Sequence, residues 1–307
     1  VTGTPPDITA GEPSVRVRDL VPTYLEYARS ADGASPARRS ELWRSRYLDR
    51  HPDVFAAALD RAGEWSGGDD LPAVLDQLTE DRADLSRRAA RLRIELPDAV
   101  RSVAGALGWA DDRDPIECVT LVGLRRANGW ADRLDGRYAL FLAVEQLGDL
   151  AEERLLVHHE TAHVVHDRLA TIRDWPEHGV AASLLAEGLA TEVTTETVPG
   201  LSDEAYLWFH RPGYEPWLAE CRTRWEEIID RIIADLDATD LDRNAPYFLM
   251  RDLPDGGDLP KRCGYLVGLR LVRELRRHYP LPETARWDLD RAVPELRRAL
   301  GAVAVAA

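Results

Sequence analysis

Four of the chain's eight histidines fall within nine residues, in the run VHHETAHVVH from Val157 to His166. No other feature restricts the fold as much. His159-Glu160-Thr161-Ala162-His163 is an H-E-x-x-H pattern, and its two imidazoles reach a common point on a helix, where residues four apart project from one face about one turn apart. The periodicity from Asp149 to about Ile172 predicts that helix. The pattern therefore predicts a metal held by His159 and His163, with Glu160 beside it. The competing reading is a set of satisfied histidines on a buried face, and it needs a partner for each ring and for a carboxylate among Leu155, Leu156 and Val164.

A catalytic zinc takes a third protein ligand and keeps one position open for water. Glu187, in LLAEGLATE, stands 24 residues after His163 on a second predicted helix, Val180 to about Thr197. The turn through Trp175-Pro176 and Gly179 is short enough for a hairpin that returns its carboxylate to the histidines. Gly188 implies close approach of the two helix backbones, since glycine inside a helix costs ~1 kcal/mol relative to alanine. Glu192, His166 and His178 are rival ligands. His166, seven residues after His159, is read as a supporting or surface residue, and Thr191, one turn after Glu187, as one that orients a ligand histidine.

HETAH followed by EGLA resembles the gluzincin branch of the thermolysin-like metallopeptidases. More narrowly, ANGWA at Ala127 to Ala131, the strand RYALFLAVE, the HETAH helix, EGLA and the later CGYLVGLRL are similar to a bacterial domain-of-unknown-function family of predicted zinc-dependent proteases. The likeness spans about Pro115 to Arg273. It implies His159, His163 and Glu187 as zinc ligands, Glu160 as general base, and Asn128, Gly129, Trp130 and Ala131 as an edge segment that holds substrate backbone by strand-like pairing. It also makes Tyr265, in CGYLVGL, the first choice to stabilise the oxyanion, with His210 and Tyr214 as alternatives. Asn128 has a second reading, closing a turn before Gly129. Thermolysin-like enzymes often carry an acidic residue where this chain has Thr191.

The fold class expected is α+β, predominantly helical, with a small mixed sheet packed beside the H-E-x-x-H helix in a thermolysin-like metalloprotease core. Residues 1–15 read as a flexible arm, 16–110 as a helical N-terminal region and 111–307 as the metalloprotease-like catalytic domain, or 16–307 as one continuous domain. Within these, a helix is predicted from Val21 to Ser30, and Arg39 to Gly63 is helix-rich with a break at Pro52. Leu71 to Leu92 repeats apolar residues at helical spacing, and Gly67, Gly68 and Pro97 punctuate a helical layer from Val17 to Trp109. CVTLVGL and RYALFLAV begin two or three strands. Trp217 to Leu236 forms one apolar stripe, Leu253 to Pro260 is a loop, Arg262 to His278 is a helix, and a last short helix starts at Pro294.

Composition narrows the partners. Lys+Arg 39 against Asp+Glu 54 leaves a formal charge of −15, which repels phosphate backbones and anionic lipid, so neither nucleic acid nor membrane is expected. Three widely spaced cysteines form no disulfide framework or C-x-x-C motif, which predicts buried reduced thiols and a cytoplasmic protein. The chemistry expected is metal-assisted hydrolysis of a peptide or small amide, with Zn2+ acidifying water and Glu160 accepting its proton. The same 2-His-1-carboxylate set also describes a non-haem Fe(II) oxygenase with an α-keto acid clamp, and closed coordination by His166 or Glu192 would describe a non-catalytic binding or regulatory protein stabilised by its metal.

Overall fold

A computed structural model of the protein describes residues 13–59, 71–79, 82–111, 113–125, 127–250 and 259–305. Its first element is the strand β1 (Val15–Asp19). The helices α1 (Val21–Ser30), α2 (Pro36–Arg46), α3 (Pro52–Leu59), α4 (Leu71–Thr79) and α5 (Arg82–Leu107) separate it from β2 (Ile116–Leu121), β3 (Gly129–Leu134) and β4 (Arg137–Ala143). Then come α6 (Leu150–Ala170), α7 (Val180–Thr197), α8 (Asp203–Leu207), α9 (Glu215–Thr223), α10 (Trp225–Asp235), α11 (Leu241–Phe248), α12 (Cys263–Leu275), α13 (Leu281–Thr284) and α14 (Leu289–Val305). The fold is α+β and mostly helical, as the periodicities predict, with one open mixed sheet in the order β1-β2-β4-β3. β1, β2 and β4 run parallel, and β3 closes one end antiparallel to β4, with Trp130 opposite Phe141.

The helix that carries the histidines has strong local reasons to begin and end where it does. Asp149 caps it, its carboxylate accepting from the Ala151 and Glu152 N–H groups, and Glu152 and Glu153 place negative charge at the positive end of the helix dipole. Thr171, at φ 57°, stops it in the left-handed region. On one side it meets α5, where Arg91 donates to Glu153, a carboxylate only 1% exposed. A hydrophobic cluster extends from Leu20 to Val303 and includes Cys118, Val119, Leu140 and Phe141 of the sheet, so the strands and α6 share a core. Cys118, Cys221 and Cys263 are buried and unpaired. Among the described residues no helix is long and apolar enough to cross a membrane.

Several local expectations need correction. The helical layer read from Val17 begins instead with β1, whose alternation of valine and arginine is too short a signal to outweigh the helix that follows. Of the arm expected over residues 1–15, residues 1–12 lie outside the described residues and Val15 is already strand. Pro97 does not punctuate: α5 runs through it, because burial of Leu92, Leu96, Val100, Val103 and Leu107 outweighs the ~3 kcal/mol a mid-helix proline costs. Pro294 likewise lies inside α14, which starts five residues earlier. The Trp217 to Leu236 stripe is divided between α9 and α10 at Arg224. Gly67, Gly68 and most of the Leu253 to Pro260 loop lie outside the described residues.

Candidate metal centre

The turn through Pro176 and Gly179 folds α7 back against α6 and brings three predicted residues together. His159 Nε2 lies 3.1 Å from Glu187 Oε2, His163 Nε2 lies 3.5 Å from the same oxygen, and the two Nε2 atoms are 3.3 Å apart. Metal–ligand bonds of ~2.0–2.1 Å give tetrahedral edges of about 3.3 Å and octahedral edges of about 3.0 Å. The triangle therefore fits one face of a divalent ion's coordination shell, and among the described residues it is the group of histidine, cysteine and carboxylate side chains that converges in this way. Both histidines are buried, and Glu187 keeps a fifth of its side chain exposed.

Burial disfavours charge at each of these groups, and their contacts decide which of them carries it. His159 is pushed down to about 4 by burial and is neutral. At His163 burial is overcome by the Glu187 carboxylate against the ring, which holds its pKa up to about 9. Glu187, although buried, is held well below the usual carboxylate range by His163 and by the hydrogen bond from His159. The site thus pairs one carboxylate with one imidazolium, and a cation bound there would take the place of that proton. Glu160 is raised to about 7 by burial, with the Glu187 carboxylate adding to the shift.

These residues line one cavity of about 800 Å³ together with Asn128, Gly129, Trp130 and Ala131, the segment expected to hold substrate. The Ala143 N–H donates to the Asn128 carbonyl, which sets the phase of the β3–β4 ladder. By the alternation of an antiparallel pair, Gly129, Ala131 and Arg133 turn their backbone groups away from β4. Two of those N–H groups are already taken, Gly129 by Asn128 Oδ1 at 2.9 Å and Arg133 by Asp132 Oδ1 at 2.7 Å. Ala131 stands between them. The Asn128 side chain therefore takes up the N–H of the adjacent Gly129, while its residue lines the cavity as well.

Tyr265, on α12, also lines the cavity, its ring 6.4 Å from that of His159. Burial and the nearby Glu187 carboxylate push its phenol well above the ordinary tyrosine value. The alternatives fall elsewhere: His210 is exposed, and Tyr214 stacks on Trp208 at 3.7 Å. Glu192 is buried against Arg273 and Arg276. His166 turns its ring edge toward Trp175, and neither its nitrogens nor the Thr191 hydroxyl makes a hydrogen bond, so the structure gives Thr191 no contact that orients a ligand histidine. Gly188 does mark a close approach, but to α12 rather than α6: a methyl there would stand 2.3 Å from the Gly268 carbonyl oxygen.

Arg262 escaped the sequence reading. It precedes α12 at φ 62° and lines the same cavity, its guanidinium 4.0 Å from the Tyr265 ring, 5.5 Å from Phe209 and 5.1 Å from Trp208. Three aromatic faces thus fix a cation close enough to lower the pKa of both His159 and Glu160. Only the tertiary meeting of residues 208, 209 and 265 marks it, and no local pattern could. Searches of family models, curated proteins and solved structures find no match to the chain. What stands is a buried two-histidine, one-carboxylate triad able to chelate a divalent ion, consistent with a metal-dependent catalytic protein.

Proposed function

We propose that the chain is a zinc-dependent hydrolase of peptide or other amide bonds, with His159, His163 and Glu187 as ligands and a gluzincin-like arrangement around them. The observation that carries this reading is that a single cavity joins the ligand triangle, a partly open Glu160 and the outward backbone of an edge strand. When bound, the ion supplies polarisation of the substrate carbonyl and a more acidic attacking water. With the ion in place, Glu160 would take a proton from that water and return it to the leaving nitrogen. Tyr265 keeps its proton, because burial and Glu187 both disfavour the phenolate, and offers its O–H to the developing oxyanion. An extended substrate adds to β3 through the Ala131 backbone, which favours chain conformation over side-chain identity.

The donor set also argues against a purely structural metal. Glu192 is committed to two arginines and the His166 nitrogens do not converge with the triad, so neither completes a closed tetrahedron. One observation favours a second catalytic reading: Arg262 is the fixed cation that an Fe(II) oxygenase needs to clamp an α-keto acid, and the same charge would serve a hydrolase whose substrate bears a carboxylate. The test is to measure the metal content of the purified chain and then to assay zinc- and iron-loaded protein against a quenched peptide library and in an oxygen electrode. Peptide cleavage that follows zinc is expected. Oxygen consumption that follows iron, with every peptide left intact, overturns the hydrolase.

A further inference from the structure

A second cavity, of about 480 Å³, opens where α9, α10, α12 and α14 meet, and none of its lining residues belongs to the metal cavity. In a chain of formal charge −15 its rim is reversed in sign. Among the described residues Arg222, Arg270, Arg273 and Arg277 surround it, with Glu274 as the one carboxylate. Arg277 is paired with Glu274 at 3.3 Å, and Arg273 is held by Glu192 at 2.9 Å and Asp203 at 2.8 Å. Among the described residues the exposed guanidiniums of Arg222 and Arg270 meet no carboxylate, so two positive charges face the opening without a partner. Two free guanidiniums are a common recognition device for carboxylate and related oxyanions, because each presents paired donors in a plane.

The rest of the lining is apolar. Trp225, Leu266 and Val303 are each 8% exposed or less, and the indole N–H is already used by the Val303 carbonyl at 3.2 Å, which leaves the ring as hydrocarbon surface. The volume lies in the range of small-molecule sites, which join an apolar body to a few placed polar groups. We propose that this cavity binds a small organic anion, its oxyanion head held by Arg222 and Arg270 and its flat apolar body laid against Trp225 and Leu266. Glu274 and the partners of Arg273 neutralise the remaining arginines, so the net charge suits one head group rather than a polyanion.

Calorimetric titration of the full chain with 4-phenylbutyrate, the neutral 4-phenylbutanol and inorganic phosphate tests this. One saturable site for the acid is expected, with the alcohol and phosphate each at least tenfold weaker. An Arg222→Ala/Arg270→Ala double variant should weaken the acid at least tenfold while retaining metal content and circular dichroism, since both side chains are exposed. The double variant also separates this site from carboxylate binding at the metal centre, which it leaves untouched. The proposal is overturned if the acid does not bind, if the alcohol or phosphate matches it, or if the double variant binds it unchanged.

Discussion

Five residues apart on α7, Glu187 and Glu192 carry the same carboxyl group and meet opposite company. Glu192 is gripped by Arg273 at 2.9 Å and Arg276 at 2.5 Å, guanidiniums that hold their protons at any ordinary pH. Glu187 faces two imidazoles, which can give up a proton when a cation arrives. One carboxylate is locked into the packing of α7 against α12, and the other remains exchangeable. Residue type and distance along the helix do not separate them. Their partners do, and those come from helices far apart in the chain.

The largest effect expected involves a third carboxylate that belongs to neither arrangement. Glu160→Gln should retain stoichiometric zinc while peptide turnover falls by a factor on the order of 10²–10⁴, and undiminished turnover in the zinc-loaded variant would end its assignment as base. The comparison itself is tested by removing each α7 carboxylate in turn. Glu187→Ala should weaken zinc binding by more than ~100-fold in a chelator competition, because a ligand is lost outright. Glu192→Ala should leave zinc affinity within about tenfold but cost roughly 2 kcal/mol in urea unfolding, a value reduced from that of a fully buried pair because both arginines are about one-third exposed. If Glu192→Ala loses more zinc than Glu187→Ala, the two roles are reversed.

Gly188→Ala should destabilise by about 2 kcal/mol despite alanine's better helix propensity, since the new methyl meets backbone of α12 that cannot yield. Gly105→Ala on α5, where the added methyl meets open space, should instead stabilise by ~0.5–1 kcal/mol. Equal responses at the two glycines would show that α7 and α12 have slack. An effect of similar size concerns His166, which burial lowers to about 3. Its folded pKa lies below the unfolded value of ~6.5, so acid is taken up by the unfolded chain first and stability falls as the pH drops through that value. Between pH 7 and 5.5 the chelator-treated protein should lose on the order of 1 kcal/mol more than His166→Leu. A matched loss in the two proteins would mean that His166 is already charged when folded.

Legibility followed the range of the forces at work. α1 and α7 have the boundaries expected, because a proline in the first turn of α1 and the Pro176 to Gly179 turn before α7 act over a few residues. The convergence of His159, His163 and Glu187 was readable because the two histidines share one helix face and the glutamate lies across a short turn. β1 was not, since Val15 and Val17 acquire meaning only beside Ile116 and Cys118. The continuity of α5 through Pro97 depends on a partner surface that local propensity does not contain, and the place of Arg262 depends on Trp208 and Phe209, rings contributed by another stretch of chain.

The parallel pairing of β1 with β2 has a consequence for how the chain is made. Val15 finds its partner Ile116 only 101 residues later. At ~5–20 residues per second of synthesis, the strand waits on the order of 5–20 seconds before anything exists for it to pair with. During that interval a bare strand edge invites association with neighbouring nascent chains. Arg16 and Arg18 alternate with its valines and interrupt the apolar run with charge, the composition that keeps such a segment soluble until its sheet arrives. Glu117 then lies opposite Arg16 in the register, with an ion pair at 3.4 Å, so the charge that protects the waiting strand also marks its place in the finished sheet.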